Sequence, residues 1–477
     1  MTKKEVLVAG GGIAGLSAAL VLQEEGVDYH LFEAQDRLGG KILTERVEGF
    51  LLEGGPDCFL SERPGVFELA RRLEICHRLL PTEEQNRGTF ILWRGRLHPL
   101  PEGLMLLAPS RLGPFLKSGL LSWRGKLRAL AEPFVPRGGG GDESLASFVR
   151  RRLGEEVLER IAEPLIAGIH AGDPETMSLR AGFPRFARME EEGGLIRSLL
   201  RARRSREKAS HPCPGGPEER TFFMSFAGGM GELVEEVAGR LSPSRITRGV
   251  GVKMVTPSPG GWEIELQGGE RISARAVVLA LPAYQAARVV EEADPELAGL
   301  LSSVPFSSTL TLSLAYREGE LPPLSGFGFV VPRKEGKLMS GVTYSSRKWR
   351  GRVPSSGYVL LRVFARGGEE LSDHQVVSRV REELAEILGV KARPLLTRLY
   401  RWPRGLPQYP VGHLQRLEQV ERRLGELPGL FLAGASYRGV GVGECIRSGF
   451  SAARGALELL RGPGAAAAGL DSASSAG

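Results

Sequence analysis

Apolar positions at residues 5–9, a glycine-rich stretch at 10–15, helical spacing of Leu16, Ala19, Leu20 and Gln23, and a second apolar run at 29–32 predict a strand–turn–helix–strand opening. Between about 97 and 212 the pattern becomes Leu- and Arg-rich with a helical period, broken at Pro109, Pro114, Pro133, Pro136 and the glycine run 138–141. Strand-type patterning returns from Thr221. Residues 246–255 and 261–266 predict paired strands across a turn at 257–260, and 276–280 a buried strand. Further strands are predicted at 310–316, 326–331, 358–364 and 430–433, and an amphipathic helix at 373–388. The small-residue tail, 463–477, is expected to be disordered.

Composition narrows the class. With 477 residues, 42% hydrophobic and 25% charged, the chain can build more than one core. Its 64 glycines far exceed the usual share of about 7%, so backbone must turn tightly or approach a ligand at many places. No apolar run reaches the roughly 18 residues of a membrane-spanning helix. The net charge of +7 suits an anionic surface or ligand without choosing one. No nucleic-acid motif accompanies it, which argues against such a partner. Cys58, Cys76, Cys213 and Cys445 stand far apart and read as reduced thiols of a cytoplasmic protein; no metal site is expected.

Gly10, Gly12 and Gly15 form G-x-G-x-x-G between a strand and a helix, the context that motif requires. The first glycine permits the turn, the second lets a pyrophosphate approach the helix N-terminus beside Ile13 and Ala14, and the third lets helix and strand pack closely. Glu33, with Ala34 after it, ends the second strand where a ribose hydroxyl would be bound, and an acid there disfavours NADP. The motif alone leaves FAD and NAD open.

Arg37, Gly39 and Gly40 add an R-x-G-G element, Glu53 to Pro56 reads E-G-G-P, 278–282 reads V-L-A-L-P, and 434–443 reads G-A-S-Y-R-G-V-G-V-G. In this order the segments resemble the flavin amine-oxidase superfamily. The resemblance implies non-covalent FAD held by Gly10, Gly12, Ile13, Ala14, Gly15, Glu33, Ala34, Arg37, Gly39, Gly40, Gly54, Gly55, Pro56, Val250, Ala280, Pro282, Gly434, Gly441 and Val442. Residues 168–178 (G-I-H-A-G-D-P-E-T-M-S), 326–332 (G-F-G-F-V-V-P) and 402–413 (W-P-R-G-L-P-Q-Y-P-V-G-H) resemble the porphyrinogen oxidases of heme biosynthesis within it.

That resemblance implies an α/β fold with α+β segments: a Rossmann-like FAD-binding domain (1–60, 221–290, 425–462) interleaved with a mixed-sheet substrate domain (61–96, 291–424), plus a helical insert (97–220). It implies oxidation of coproporphyrinogen III or protoporphyrinogen IX in three two-electron rounds, with dioxygen as acceptor and hydrogen peroxide as product. A hydride leaves a methylene bridge for the flavin and a pyrrole N–H proton balances the charge, so no catalytic residue is assigned and the protein orients and shields. Phe329, Val330 and Tyr344 are expected against the macrocycle from one side and Gly168, His170 and Ala171 from the other, with plain core packing the alternative for Phe329 and Val330.

Thr89 stands where many protoporphyrinogen oxidases carry a propionate-binding arginine, leaving Arg87 or Arg96 as substitutes. The H-P-L-P-E-G of 98–103 resembles the coproporphyrinogen branch. The basic, Leu- and Phe-containing stretch 111–137 is either a peripheral membrane attachment, on the inner face of the cell membrane, or a solvated helix. The basic stretch 197–208 is a candidate dock for another heme-pathway enzyme. An amine oxidase and a non-catalytic flavin-binding membrane protein are the rival readings.

Overall fold

The computed structural model describes residues 3–101, 103–105, 108–109, 112–170, 172–204 and 213–462. The expected tail, 463–477, therefore lies outside the described residues, as do 205–212.

The opening folds as its apolar spacing requires. Strands Lys3–Ala9 and Tyr29–Glu33 run parallel around helix Ile13–Glu24. Arg271–Leu279 joins the other edge of Lys3–Ala9, also parallel. Arg271–Leu279 then serves two neighbours along one edge: its first half pairs antiparallel with Gly261–Leu266, its second half parallel with Leu430–Leu432. The expected hairpin at 246–255 and 261–266 is corrected in part. Ile246–Arg248 leaves it to run parallel with Tyr29–Glu33, and only Val252–Ser258 pairs with Gly261–Leu266. Gly249, at φ +74°, makes the break that the apolar pattern did not reveal.

Both faces of the sheet's centre are covered, and the central stretches 6–9 and 276–279 are continuously apolar and buried there, while Gly261–Leu266 alternates. On one face, helices Ile13–Glu24, Gly65–Arg72, Gly231–Arg240 and Val442–Arg461 share a core with Val6, Val8, Val278 and Phe226. Ile13–Glu24 and Val442–Arg461 cross so closely that a methyl on Gly449 would overlap the carbonyl of Ala14. On the other face lie Ala283–Val290, Pro295–Ser302 and His413–Gly425. Gly65–Arg72, Pro295–Ser302 and His413–Gly425 thus pack with the dinucleotide sheet, although their positions in sequence suggested the substrate domain.

The second large sheet has the order Leu396–Pro407, Phe306–Arg317, Tyr358–Ala365, Met339–Tyr344, Gly328–Val330, Thr89–Trp93, Arg96–Pro99. It is mixed, as expected: Gly328–Val330 runs parallel with Thr89–Trp93 and the remaining pairs are antiparallel. Helix Asp373–Leu388 covers one face through Val376, Val380 and Leu384.

The insert is helical but opens with short strands at Leu104–Met105 and Ala108–Pro109. Its core includes Phe115, Phe148, Val149, Ile161 and Leu195. The Arg152 and Glu132 side chains are buried and paired, and Glu132 also accepts the backbone N–H groups of Leu195 and Ile196 at 2.9 and 3.1 Å. The carboxylate thereby caps helix Leu195–Arg204, and its partners satisfy a charge that would be expensive unpaired.

The reading of four reduced cysteines is corrected. Cys76 and Cys213 are disulfide-bonded with Cα atoms 5.6 Å apart, across 137 residues of sequence. Cys213 is buried, while Pro214 and Gly215 after it are exposed. Cys58 and Cys445 are the free thiols among the described residues.

Candidate flavin and substrate site

The glycine turn has the shape needed for a dinucleotide. Gly10 sits at φ +104°, and a methyl on it would come within 2.6 Å of the Ala280 carbonyl oxygen. A methyl on Gly15 would overlap the Gly10 carbonyl, so strand and helix can meet only without side chains there. Gly12 differs, because a methyl on it would meet nothing within 4 Å. It is the N-cap of Ile13–Glu24 and provides no side-chain cap, which leaves the first-turn N–H groups directed at open space. An anion belongs there by charge and by hydrogen bonding.

The other nominated segments converge on this turn. Gly39 donates its N–H to the Gly11 carbonyl at 2.8 Å, and a methyl on Gly40 would lie 3.1 Å from the Gly12 Cα. Arg37 does not face the turn as a free cation. Its guanidinium binds the carbonyls of Leu38, Gly40 and Ile42 and so fixes the loop. Glu33 accepts the N–H of Gly11 at 2.6 Å and that of Gln35 at 2.8 Å, and the Val250 N–H donates to the Glu33 carbonyl at 3.1 Å. Ala34 lies against Gly251, and Ala280 and Pro282 continue from the end of the central strand. At the far end, Gly441 caps Val442–Arg461 without a side-chain bond, while the Gly434 N–H donates to Ser448 Oγ at 2.6 Å.

Gly54 and Gly55, followed by Pro56, tie the loop at 41–43 to the second sheet: the Gly54 N–H donates to the Leu43 carbonyl and Gly55 packs on the Lys41 carbonyl. The Gly54 carbonyl accepts from Thr311 Oγ1 at 2.9 Å and Trp402 Nε1 at 2.8 Å, and the Gly55 carbonyl accepts from Arg362. Arg362 and Lys348 also pair with Asp57, at 3.1 Å each, and Trp349 Nε1 donates to the same carboxylate. Burial would raise the Asp57 pKa, but Lys348 and Arg362 outweigh it and hold the carboxyl well below its usual range. Burial, with Asp57 beside it, pushes the Cys58 thiol up to about 12.

Alternation in the strands corrects the nominated pocket. Phe329 and Tyr344 lie in the core beneath Asp373–Leu388, with ring centroids 6.4 Å apart. They face away from the sheet surface that carries Thr311 and Arg362. Val330, one residue on, packs toward the helical insert, because successive strand residues point to opposite faces. Thr89 pairs with Gly328 and Thr343 with Arg362, so both share the Val330 face. Gly168 and His170 end helix Glu163–His170, and Ala171 lies outside the described residues.

Over residues 13–457 the chain matches the family described as flavin-containing amine oxidoreductase. It is 32% identical to the coproporphyrinogen III oxidase of Bacillus subtilis strain 168, across 96% of this chain and 99% of that one. The chain belongs to this flavoprotein family, in its porphyrinogen oxidase branch. The chloroplastic protoporphyrinogen oxidase of Nicotiana tabacum is 31% identical over 94% of the chain and 84% of its own length. Among solved structures, a candidate protoporphyrinogen oxidase from Exiguobacterium sp. 255-15 superposes with a TM-score of 0.81 at 29% identity, covering 95% of this chain and 98% of that one. FAD is the family's cofactor, and the open side of Gly12 and the uncapped helix at Gly441 fit its diphosphate and ring ends.

Several residues that build the site were not among the nominated ones. Tyr409 Oη donates to the Ala435 carbonyl at 2.5 Å and accepts the Gly439 N–H at 2.8 Å, pinning the second glycine loop. His413 stacks on Tyr409 with centroids 4.1 Å apart and donates through Nε2 to the Tyr437 carbonyl at 2.8 Å. Burial pushes its pKa down, which suits a neutral positioning group. Only the W-P-R-G-L-P-Q-Y-P-V-G-H resemblance pointed at them.

Glu53, one residue before the glycines, is raised from 4.5 to about 7 by burial, despite hydrogen bonds from Thr44 and the Met230 N–H. The folded state therefore holds this proton more tightly than the unfolded chain. Its stabilising effect is present below about pH 4.5 and is lost as pH rises through about 7. Urea midpoints measured across that range should fall with pH for the protein and fall less for Glu53→Gln. Equal slopes would contradict the assignment.

Proposed function

We propose that the protein oxidises a porphyrinogen to the porphyrin in heme biosynthesis, with dioxygen as electron acceptor and hydrogen peroxide as product. The observation that carries this is the pairing of a dinucleotide cleft with a sheet face bearing Thr89, Val330 and Thr343, in a chain alike end to end to coproporphyrinogen III oxidases. FAD, when bound, accepts the electrons. The backbone at Gly12 and Gly441 would hold the cofactor, and Thr311, Trp402 and Arg362 lock the Gly54 and Gly55 turn to the substrate sheet beside it. No titrating side chain need act as base if the pyrrole N–H supplies the proton.

Coproporphyrinogen III is the preferred substrate in this reading, on the 98–103 segment and the B. subtilis relative. Purified protein is mixed with coproporphyrinogen III and, separately, protoporphyrinogen IX, and porphyrin fluorescence is followed. Faster gain with the first is expected. No gain above autoxidation with either would sink the proposal.

The helical insert supports peripheral attachment to an anionic membrane. No helix among the described residues is long and apolar enough to cross one. Trp123, Leu127 and Phe134 are 67%, 65% and 83% exposed, beside exposed Lys117, Arg124 and Arg137. Two of the stretch's cations do not reach outward: Lys126 donates to the Leu116 carbonyl and Arg128 to those of Arg151 and Arg152. Trp123→Ser/Phe134→Ser should lose most co-sedimentation with phosphatidylglycerol vesicles while keeping its flavin. Unchanged co-sedimentation would favour the solvated-helix alternative. Docking of another heme-pathway enzyme on 197–208 is a further part of the proposal; Leu195–Arg204 is helical and the rest lies outside the described residues.

A further inference from the structure

Arg333 holds two points of the chain at once. Its Nη2 donates to the Gly172 carbonyl at 3.3 Å and its Nη1 pairs with Asp173 Oδ2 at 3.3 Å. Its Nε lies 3.5 Å from Glu163 Oε1, and its backbone N–H donates to Glu163 Oε2 at 3.1 Å. Glu163 opens the helix Glu163–His170, and Gly172 and Asp173 come just after that helix ends. The stretch expected against the macrocycle, 168–171, is therefore the chain between the two points that one arginine joins.

The joint is set on the substrate sheet. Arg333 stands three residues beyond Val330, and Arg366 directly follows Tyr358–Ala365. Arg366 pairs with Glu163 Oε1 at 2.9 Å and donates to the Val331 carbonyl. Helix Glu163–His170 lies against Gly328–Val330 and Met339–Tyr344. Half-exposed, Arg333 adds little to stability through its ion pairs, and apolar residues would cover the sheet at least as well. What these directed contacts fix is a position.

The chain before Glu163 makes that position matter. Leu158–Ala162 is a π-helical turn set between α-helical Glu155–Val157 and Glu163–His170. Pro164 has no N–H to give the Arg160 carbonyl, which accounts for the irregularity. Such turns occur mostly at functional sites. A helix interrupted there passes on less of its direction, so the placement of Glu163–His170 depends on what holds its two ends.

We propose that Arg333 is a positioning residue for the macrocycle: by stapling Glu163 to Gly172 and Asp173 on the substrate sheet, it sets the spacing between the 168–171 wall and the Val330 face, and with it the affinity for the porphyrinogen. In this role it contacts neither flavin nor substrate. The proposal rests on the porphyrinogen reading.

The test mixes FAD-loaded protein anaerobically with increasing coproporphyrinogen III, and flavin bleaching gives an apparent Kd and a limiting rate. Arg333→Gln should raise the apparent Kd about tenfold and leave the limiting rate within about twofold, the signature of lost uniform binding. Flavin content, bleaching by dithionite and the urea midpoint should stay near wild type, a combination that a merely structural role would not produce. Arg333→Lys should recover only part of the affinity, since an ammonium lacks the fork that reaches both ends; full recovery would count against the staple. Glu163→Gln should weaken binding as Arg333→Gln does. Were Glu163→Gln to bind as tightly as wild type while Arg333→Gln binds weakly, Arg333 would be pairing with a substrate carboxylate directly, and the proposal would be overturned. An unchanged Kd in Arg333→Gln, or a loss that follows lost flavin or a lowered urea midpoint, has the same consequence. Should Glu163→Gln fail to fold, Asp173→Asn is judged by the same outcomes. Wild-type protein whose flavin bleaches with neither porphyrinogen would fail the porphyrinogen reading, a result distinct from all of these, and the proposal with it.

Discussion

Gly15→Ala should yield protein that loses FAD on gel filtration, with affinity reduced at least tenfold, about 1.4 kcal/mol. Alanine is the better helix former by about 1 kcal/mol, so propensity alone predicts stabilisation. The packing term opposes it. The added methyl would overlap the Gly10 carbonyl and stand 3.1 Å from the Ala280 Cβ. Overpacking costs about 1–3 kcal/mol where side chains can adjust, and here the obstacle is backbone. Gly10 is itself lodged against the Ala280 carbonyl, so relief must come from moving the N-terminus of Ile13–Glu24, the part proposed to bind the diphosphate. Gly12→Ala separates the two causes. Its methyl meets no protein atom, so thermal stability should be close to wild type while FAD is lost. Full flavin occupancy in purified Gly12→Ala would contradict this account of the turn.

Asp57→Ala should destabilise the fold by about 3–5 kcal/mol, a large share of the ~5–15 kcal/mol of a typical domain. The side chains of Lys348 and Arg362, 9% and 4% exposed, would be left without their carboxylate. Asp57→Asn keeps an acceptor for Trp349 but also abandons the charges, so it should fall between the two. The depressed carboxyl pKa makes a second prediction. The contribution of Asp57 is present above the ordinary value of 3.8 and fades as pH falls through the lower folded value. Both variants should therefore lose part of the acid sensitivity of the urea midpoint. Because Arg362 also holds the Gly55 carbonyl, weakened FAD retention should accompany the loss of stability.

Where chemistry is written in contiguous residues, the sequence was readable. Gly10, Gly12 and Gly15 lie in one turn, and Arg37 to Gly40 follow in the next, so their spacing alone carries the cofactor's demands. Long-range partnerships were not readable. Asp57 meets Lys348 across 291 residues of chain and Arg362 from farther still, and Cys76 meets Cys213 across 137. No local pattern encodes such encounters. The Phe329 and Val330 assignment had a different cause: the period of two in a strand already forbids neighbours from sharing a face. That period, applied to 326–331, is enough by itself to set Phe329 apart from Val330.

The most direct measurement of the central claim is anaerobic mixing of FAD-loaded protein with coproporphyrinogen III, followed through the flavin's visible absorption. Bleaching faster than in free FAD, with the colour restored when dioxygen is admitted and porphyrin fluorescence rising with it, is the predicted result. A flavin that stays oxidised with this substrate and with protoporphyrinogen IX, yet bleaches with a primary amine, would contradict it.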